Sequence, residues 1–374
     1  MNREVFVVAD NVFTPLGKTT AENFGSLKHG RSAVKQHNDP AISPQPFYAA
    51  LFDNGEFPKS GHYTKFEQLL IGSITDALKQ SGLNASDKKT VFILSSTKGN
   101  ISLLESEKDS PELREQVSLS TSAKLICERF GFVNQPIVIS NACISGVVAV
   151  IAGMRLLRTG QYENAVIAGA DVISEFILSG FQSFQALSPG ICKPFDKDRD
   201  GLNLGEGAGT IILSSNSKYA GNIKVLGGGI SNDANHISGP SRTGEELSFA
   251  IDRALKDAKL TGEDIGFISA HGTATPYNDE MEANAISLSG LESVPLNSLK
   301  ANYGHTLGAA GLIESIVSVQ SLKENLILPT MGFEERGVTK PVNVAHQVSA
   351  LSKKHFLKTA SGFGGCNAAI VFGK

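Results

Sequence analysis

Short runs of β-branched and aromatic residues alternate with amphipathic segments along this chain. The runs VFVVA at 5–9, VFILSS at 91–96 and FISAHG at 267–272 are typical of buried strands. Apolar residues recur at helical spacing near 65–81 and near 121–130. Strands that alternate with amphipathic helices predict an α/β fold.

The same alternation continues to the end of the chain and predicts two similar halves. Further strands are predicted at 164–172, 209–215 and 368–373, and further helices near 244–258 and from Leu307 onward. No linker rich in Pro, Gly or Ser divides the chain, and the nearest candidate is the polar stretch at 214–222. We therefore expect one compact body made of an N-terminal half, 1–216, and a C-terminal half, 217–374.

Composition and charge exclude several classes of protein. The 374 residues are 41% hydrophobic and 19% charged, an ordinary profile for a globular protein with a large core. The formal net charge of -3 gives no basic surface for nucleic acid or anionic membrane. No apolar run approaches membrane-spanning length, and the N-terminus lacks the apolar core of a signal peptide. These features predict a cytoplasmic protein without membrane insertion.

The four cysteines do not form a metal-binding or disulfide pattern. Cys127, Cys143, Cys192 and Cys366 are widely spaced, and no CxxC pair occurs. A reducing compartment fits this usage best. We expect neither a bound metal nor structural disulfides.

A glycine-rich stretch, GEGAG at 205–209, is the nearest approach to a phosphate-binding loop. It precedes the strand-like run GTIILSS, whereas a dinucleotide-binding loop must follow a strand and open a helix. No P-loop Gly-Lys-Ser/Thr sequence occurs either. We interpret these glycines as a tight turn with close backbone packing and expect no nucleotide cofactor.

Cys143 is the strongest candidate for a nucleophile. It lies in NACISG, between an apolar strand-like run at 136–140 and a helical run at 144–157. A thiol in the first turn of a helix faces unpaired N–H groups and the positive end of the helix dipole, which stabilise the thiolate. The small neighbours Ala142, Ser145 and Gly146 would let a substrate carbonyl approach. Burial as a small apolar residue explains the same position equally well.

Three downstream motifs place polar groups at strand ends or helix starts. In HGTATPYNDE, His271 follows a buried strand directly, and such strand ends line ligand crevices in α/β folds. In KANYGHTLGAAG, Lys300 and His305 lie in a loop that runs into a helix of small residues. In GFGGCN, glycines surround Phe363 and leave room for its ring to move. Each feature alone has an ordinary structural explanation, so only their combination favours catalysis.

Taken together and in this order, the motifs resemble the elongating, type II β-ketoacyl-acyl-carrier-protein synthases. The resemblance spans nearly the whole chain and includes KPFDKDRDGLNLGEGAG at 193–209. It implies a thiolase-like fold, in which two pseudo-duplicated βαβαβαββ halves form a five-layered α-β-α-β-α body. It also implies a dimer, most simply a homodimer, although a heterodimer with a second synthase-like subunit fits too.

The resemblance assigns roles to individual residues. Cys143 is expected to take an acyl group from acyl carrier protein, with the oxyanion between the N–H groups of Cys143 and Phe363. His271 and His305 are expected to stabilise the enolate that forms when malonyl carrier loses CO₂. No metal or redox cofactor is needed.

The supporting residues follow from the same resemblance. Lys300 is expected to order its loop as a positive charge, paired with Glu314. Thr273 and Thr275 are expected to bind the pantetheine arm. Phe363 resembles a gate between acyl pocket and active site, and Gly364 is expected to contact substrate beside it.

Several departures concern the substrate rather than the chemistry. Ser361 stands where the fatty-acid enzymes usually have a second Phe, Asn-Ala precedes Cys143 where Thr-Ala is commoner, and the chain is short between about 30 and 135. Cys366 stands where Thr is common, and we interpret it as a packing residue. These differences favour a specialised synthase in a polyketide-like, aryl-polyene or pigment pathway.

Two other functions need consideration. One is a non-catalytic subunit resembling a chain-length factor, which usually lacks the cysteine and a histidine. The other is a thiol acyltransferase that does not decarboxylate malonate, for which a single histidine would suffice. The intact set of Cys143, His271 and His305 favours condensation.

Overall fold

The computed structural model describes residues 3–53, 55–57, 62–237 and 239–374. The strands are β1 Phe6–Phe13, β2 Lys35–His37, β3 Phe47–Ala50, β4 Thr90–Ser95, β5 Ile137–Ile139, β6 Asn164–Asp171, β7 Leu204–Gly205, β8 Gly207–Ser214, β9 Lys224–Asn232, β10 Ile265–Ser269, β11 Pro295–Asn297, β12 Leu326–Ile327, β13 Asn343–Val344, β14 Ser349–Ala350, β15 His355–Gly362 and β16 Cys366–Gly373. The helices are α1 Thr20–Lys28, α2 Lys65–Ser81, α3 Leu103–Ser106, α4 Pro111–Val117, α5 Leu119–Phe130, α6 Ser145–Arg158, α7 Glu175–Ser183, α8 Glu245–Ala258, α9 Pro276–Leu288, α10 Lys300–Tyr303 and α11 Leu307–Glu324.

The sheet order shows that the fold is duplicated. In the first half the order is β5-β4-β6-β8-β1, and in the second it is β11-β10-β15-β16-β9, with β13 added at the edge. Corresponding pairs also run in the same sense: β4–β6 and β10–β15 are parallel, whereas β6–β8 and β15–β16 are antiparallel. The halves join where β1 meets β9, giving a sheet of eleven strands. The predicted duplication of the fold is confirmed.

Three of the apolar cores lie between the five layers. One core joins α2 and α5 to the outer face of the five strands of the first half. Another joins α8 and α9 to the outer face of the strands of the second half. The third lies around α6 and α11, between the strands of the first half and those of the second. Strand residues alternate accordingly, since Ile167 of β6 belongs to the central core and Val166 to an outer one. The predicted α-β-α-β-α arrangement is confirmed.

Local sequence explains where the outer helices begin and end. Thr64 caps α2 in a capping box with Glu67, and Gly82 ends that helix in the left-handed conformation, at φ +61°. The amphipathic pattern near 65–81 therefore predicted its bounds correctly. None of the helices that the structure describes is both long and apolar enough to cross a bilayer.

The glycines at 205–209 do not form the tight turn expected from sequence. Gly205 lies in β7, and Gly207 and Gly209 lie in β8. Close packing requires a glycine at position 205 most clearly. A Cβ on Gly205 would lie 2.0 Å from the carbonyl oxygen of Tyr303, in the segment that leads to His305. This part of the prediction was wrong about the turn and correct about backbone packing.

Candidate active site

The duplication brings the candidate catalytic residues to one place. Cys143 follows β5 and precedes α6. Of the five strands that the first half contributes to the large sheet, β5 is the third in chain order. His305 follows β11, the corresponding strand of the second half, and precedes α11. His271 follows β10. Because parallel strands end at the same edge of a sheet, and α6 packs on α11 in the central layer, the loops converge.

These side chains line one cavity of about 300 Å³. Its walls include six of the residues singled out from sequence: Cys143, His271, Thr273, Thr275, His305 and Phe363. The Thr273 and Thr275 hydroxyls lie 2.8 Å apart. The two hydroxyls are therefore hydrogen-bonded to each other in the cavity wall.

The turn before α6 sets the position of Cys143. Ala142 adopts a positive φ of 42°, and the Ser145 hydroxyl donates to the Ala142 carbonyl and accepts from the Asn141 N–H. Ser145 therefore braces the loop. Gly146 makes room for a helix rather than for a substrate, since a Cβ there would lie 2.5 Å from the Leu312 nitrogen of α11.

The resting state of Cys143 differs from the sequence expectation of a stabilised thiolate. Cys143 precedes α6, whose first residue is Ser145. Burial raises the pKa of the Cys143 thiol to about 12, and Cys366 adds to the rise. Lys300 and Lys98 oppose it only in part. The raised pKa favours the thiol form of Cys143 over the thiolate.

The two histidines form the complementary half of the site. Their rings lie 5.3 Å apart between centroids and are nearly perpendicular, at 83°. Burial lowers the pKa of both imidazoles well below the ordinary value, and Lys300 lowers both further. His305 Nδ1 has no hydrogen-bond partner in the described part of the chain. Each imidazole is therefore neutral near pH 7, with one nitrogen that donates and one that accepts.

Lys300 and Glu314 lie behind the histidines rather than in the cavity. The Lys300 ammonium forms an ion pair with Glu314 and donates to the His271 carbonyl at 2.9 Å. Both side chains are buried. Lys300 is thus placed to order the loop and to act on the imidazoles through its charge.

Three charged residues that support His271 were not identified from sequence. The Glu282 carboxylate accepts the N–H groups of His271 and Gly272, both at 2.8 Å, and Asp279 accepts the Thr273 N–H at 2.9 Å. Both acids lie on one face of α9, because they are three residues apart. This spacing, shortly after the HGTATP sequence, could have indicated that they support the His271 loop. The third residue is Lys358, a lysine inside the otherwise apolar run FLKTA.

The Phe363 loop packs against the turn that holds Cys143. A Cβ on Gly362 would lie only 2.9 Å from the Cys143 nitrogen, so the two segments touch. Neither the Cys143 N–H nor the Phe363 N–H has a hydrogen-bond acceptor among the described residues. Gly364 lies in the same loop, and its N–H donates to the Ile237 carbonyl at 2.7 Å. Its expected contact with substrate stays a prediction.

The surroundings of Phe363 form an aromatic mouth. Its ring is 40% exposed and contacts Phe181 and Phe184, with centroids 5.9 and 5.4 Å away. Ser361 is buried and donates to Asn367, so it supports the loop from inside. The Cys366 sulfur lies 3.4 Å from the Phe363 carbonyl oxygen.

Comparison with known proteins agrees with this geometry. The fold and the cysteine–histidine site define a condensing enzyme of the thiolase-like class. The models for the N-terminal and C-terminal domains of β-ketoacyl synthases match residues 2–219 and 223–334. The chain belongs to the β-ketoacyl synthase family, as the motifs indicated, and its activity is that of an acyltransferase.

Relatives and solved structures match over nearly full length. The 3-oxoacyl-[acyl-carrier-protein] synthase 2 of Vibrio cholerae is 30% identical, with 99% of each chain covered. A putative polyketide β-ketoacyl synthase of Streptomyces halstedii is 26% identical, covering 99% of this chain and 98% of that one. Among structures, a ketosynthase in complex with its chain length factor from Xenorhabdus doucetiae matches with a TM-score of 0.89 and 26% identity, covering 99% of this chain and 98% of the other.

Proposed function

We propose that this chain elongates acyl groups by decarboxylating condensation, with Cys143 as acyl carrier and His271 and His305 as the groups that handle malonate. The observation that carries this proposal is the convergence of one thiol and two neutral imidazoles on a single cavity. A thiol alone supports acyl transfer, whereas a pair of N–H donors is suited to an enolate oxygen.

In the first half-reaction, the Cys143 sulfur attacks the carbonyl carbon of an acyl-carrier thioester. A neutral imidazole accepts the thiol proton, because the raised pKa of Cys143 keeps that proton in place until substrate arrives. The oxyanion accepts hydrogen bonds from the Cys143 and Phe363 N–H groups. The carrier C–S bond then breaks, and the carrier thiol leaves with the proton.

In the second half-reaction, a malonyl thioester loses CO₂. The electrons of the broken C–C bond pass to an enolate whose oxygen accepts N–H bonds from His271 and His305. Neutral imidazoles stabilise this oxygen without protonating it early, since neither carries an extra proton. The enolate carbon attacks the acyl-Cys143 carbonyl, the C–S bond breaks, and the thiol form of Cys143 returns with one proton from solvent.

We propose that the substrates are acyl and malonyl thioesters of an acyl carrier protein, because the name of the Vibrio relative gives a 3-oxoacyl group on acyl carrier protein as its product. Thr273 and Thr275 line the cavity, and we propose that they bind the pantetheine arm. Thiol and imidazole carry all steps written above, so we propose no metal or redox cofactor. We also propose that the chain acts in the cytoplasm.

A dimer is proposed on the basis of the sheet edge. The described sheet ends at β5, whose three residues are all half-buried and whose outer edge pairs with no described strand. An edge strand of this kind can continue the sheet into a second chain. A homodimer is the simplest assembly. The ketosynthase complexed with a chain length factor makes a heterodimer the second candidate.

The two alternative functions are disfavoured by particular residues. A non-catalytic subunit has no need of the thiol and two neutral imidazoles that line this cavity. An acyltransferase without decarboxylation has no need of a second imidazole 5.3 Å from the first. The proposal of a specialised polyketide-like or pigment pathway still rests on the sequence departures alone.

Intact mass spectrometry tests this function. Wild type and Cys143→Ala are incubated with acyl-carrier thioesters of different lengths and then with malonyl carrier. We expect an acyl adduct only on wild type, followed by CO₂ and a β-ketoacyl carrier two carbons longer. A folded wild type that forms no adduct with any primer contradicts the proposal, and the subunit alternative would replace it.

A further inference from the structure

Lys358 is a fully buried lysine for which the reaction written above has no use. It lies in β15, next to β10, and its side chain has no exposed surface. Burying an ammonium in a core is costly unless it is paired and hydrogen-bonded. The structure therefore raises the question of what this charge does.

The Lys358 ammonium holds the strand end that carries His271. It donates to the carbonyls of Ser269 and Ala270, at 3.2 and 3.0 Å. Lys300 donates to the next carbonyl, that of His271. Three consecutive peptide groups are thus fixed by two ammonium groups, and the last of them belongs to a proposed catalytic residue.

The two lysines also share one counterion. Lys300 pairs with Oε1 of Glu314, and Lys358 lies 2.6 Å from Oε2. Two positive charges therefore face a single carboxylate directly beneath the imidazoles. Lys358, like Lys300, lowers the pKa of both His271 and His305.

The full charge environment of the histidines comes from several elements. The groups behind and beside them are Lys300, Lys358, Glu314, Glu282, Asp279 and Cys143, together with the other histidine. Asp200, Asp233 and Tyr277 line the same cavity from its other walls. Glu282 is bound to backbone N–H groups and the Thr359 hydroxyl, so it already has partners of its own.

We propose that Lys358 is a second positioning residue for the condensation step, which fixes the backbone from Ser269 to His271 and shares Glu314 with Lys300. This role rests on the proposed condensing function. It acts through His271 and His305. Acyl transfer to Cys143 needs one imidazole as a base, whereas decarboxylation and condensation of malonate need both imidazoles as aligned N–H donors, so the effect falls mainly on the malonate steps.

The test compares two substitutions at Lys358 with a matched control. Lys358→Met removes the charge and the donors at similar volume, whereas Lys358→Gln removes the charge but keeps N–H donors. Lys353→Met is the control, because the Lys353 ammonium donates to the Ile265 carbonyl at the other end of the same strand, β10, at 3.2 Å. Acylation of Cys143 and turnover with malonyl carrier are measured separately across pH.

We expect the Met variant to lose about tenfold or more in condensation, with acylation changed by less than about threefold. The pH at which condensation falls to half on the acid side should move upward by about half a unit or more in both variants, because a nearby positive charge has been removed. The Gln variant should retain more turnover than the Met variant. Lys353→Met should match wild type.

Three results would overturn this role. The first is a Met variant that keeps the wild-type pH profile and the wild-type ratio of condensation to acylation and only melts at a lower temperature. Lys358 would then serve stability alone. Failure of both Lys358 variants to fold while Lys353→Met folds would lead to the same conclusion. If wild type itself releases no CO₂ from malonyl carrier, the proposed function fails first, and the positioning role with it.

Discussion

At the residue scale, the protonation states of the site follow from burial more than from local motif. The sequence located Cys143, His271 and His305, because each sits in a short motif at a strand or helix end. It did not predict that the pKa of the Cys143 thiol would be raised, since that rise comes first from burial in the folded chain and then from Cys366 of the other half. Lys358 was missed because a lysine in an apolar strand gives no motif.

The neutral histidines predict a particular pH dependence. An ordinary histidine would be about three-quarters protonated at pH 6. Because the pKa of His271 and of His305 lies well below that ordinary value, both imidazoles stay neutral there and lose function only at lower pH. Condensation from preformed acyl enzyme at pH 6 should remain within about twofold of its rate at pH 7. An acid limb centred at pH 6.5 or above, with the fold intact by circular dichroism, would contradict this.

At the element scale, α11 connects the site to the core. Its N-terminus is held by Asp171, which accepts the Gly308 N–H at 2.7 Å, and its buried length carries Glu314 between two lysines. The small residues GAAG correctly predicted close packing here. The helix that they pack against was not predictable, because α6 belongs to the other half of the chain.

Glu314→Gln should destabilise the fold strongly. It leaves Lys300 and Lys358 buried without a counterion, and breaking a buried ion pair costs about 3–5 kcal/mol. Glu324→Gln is the matched control on the same helix, because its partner Lys28 is partly exposed and such pairs contribute about 0–1 kcal/mol. Urea unfolding measures both. Equal losses in the two variants would show that the buried cluster contributes no more than a surface pair.

Gly205→Ala should damage the site from a distance. The added Cβ would meet the Tyr303 carbonyl at 2.0 Å and displace the segment before His305. We expect about 1–3 kcal/mol of destabilisation and a slower condensation step. Gly180→Ala in α7 is the control, since a Cβ there meets nothing within 4 Å. Unchanged melting temperature and turnover in the first variant would refute the close-packing interpretation.

At the scale of the whole molecule, the repeated strand order explains why the site lies between the halves. The alternation of strands and helices predicted two similar halves, and the identical order of five strands in each bears this out. The pairing of β1 with β9, which merges the sheets, could not be predicted because it depends on one contact between distant edges. The boundary at 216 and 217 stays a prediction.

The exposed edge of β5 predicts a dimer. Light scattering after size-exclusion chromatography of the purified chain should give twice the 39.6 kDa chain mass. A monomer that becomes active only with a second synthase-like chain would favour the heterodimer instead. A monomer that condenses substrates alone would refute any role for this edge.

The most direct test of the whole account is a single-turnover chase of acyl-Cys143 enzyme with malonyl carrier, followed by intact mass and CO₂ release. Wild type should lose its acyl mass at the rate at which CO₂ and β-ketoacyl carrier appear. His271→Ala and His305→Ala, once acylated, should keep the acyl group and release CO₂ at least about a hundredfold more slowly. Loss of the acyl group by hydrolysis without CO₂, or condensation at wild-type rate in either variant, would contradict the assignment of the two histidines and the condensing mechanism built on them.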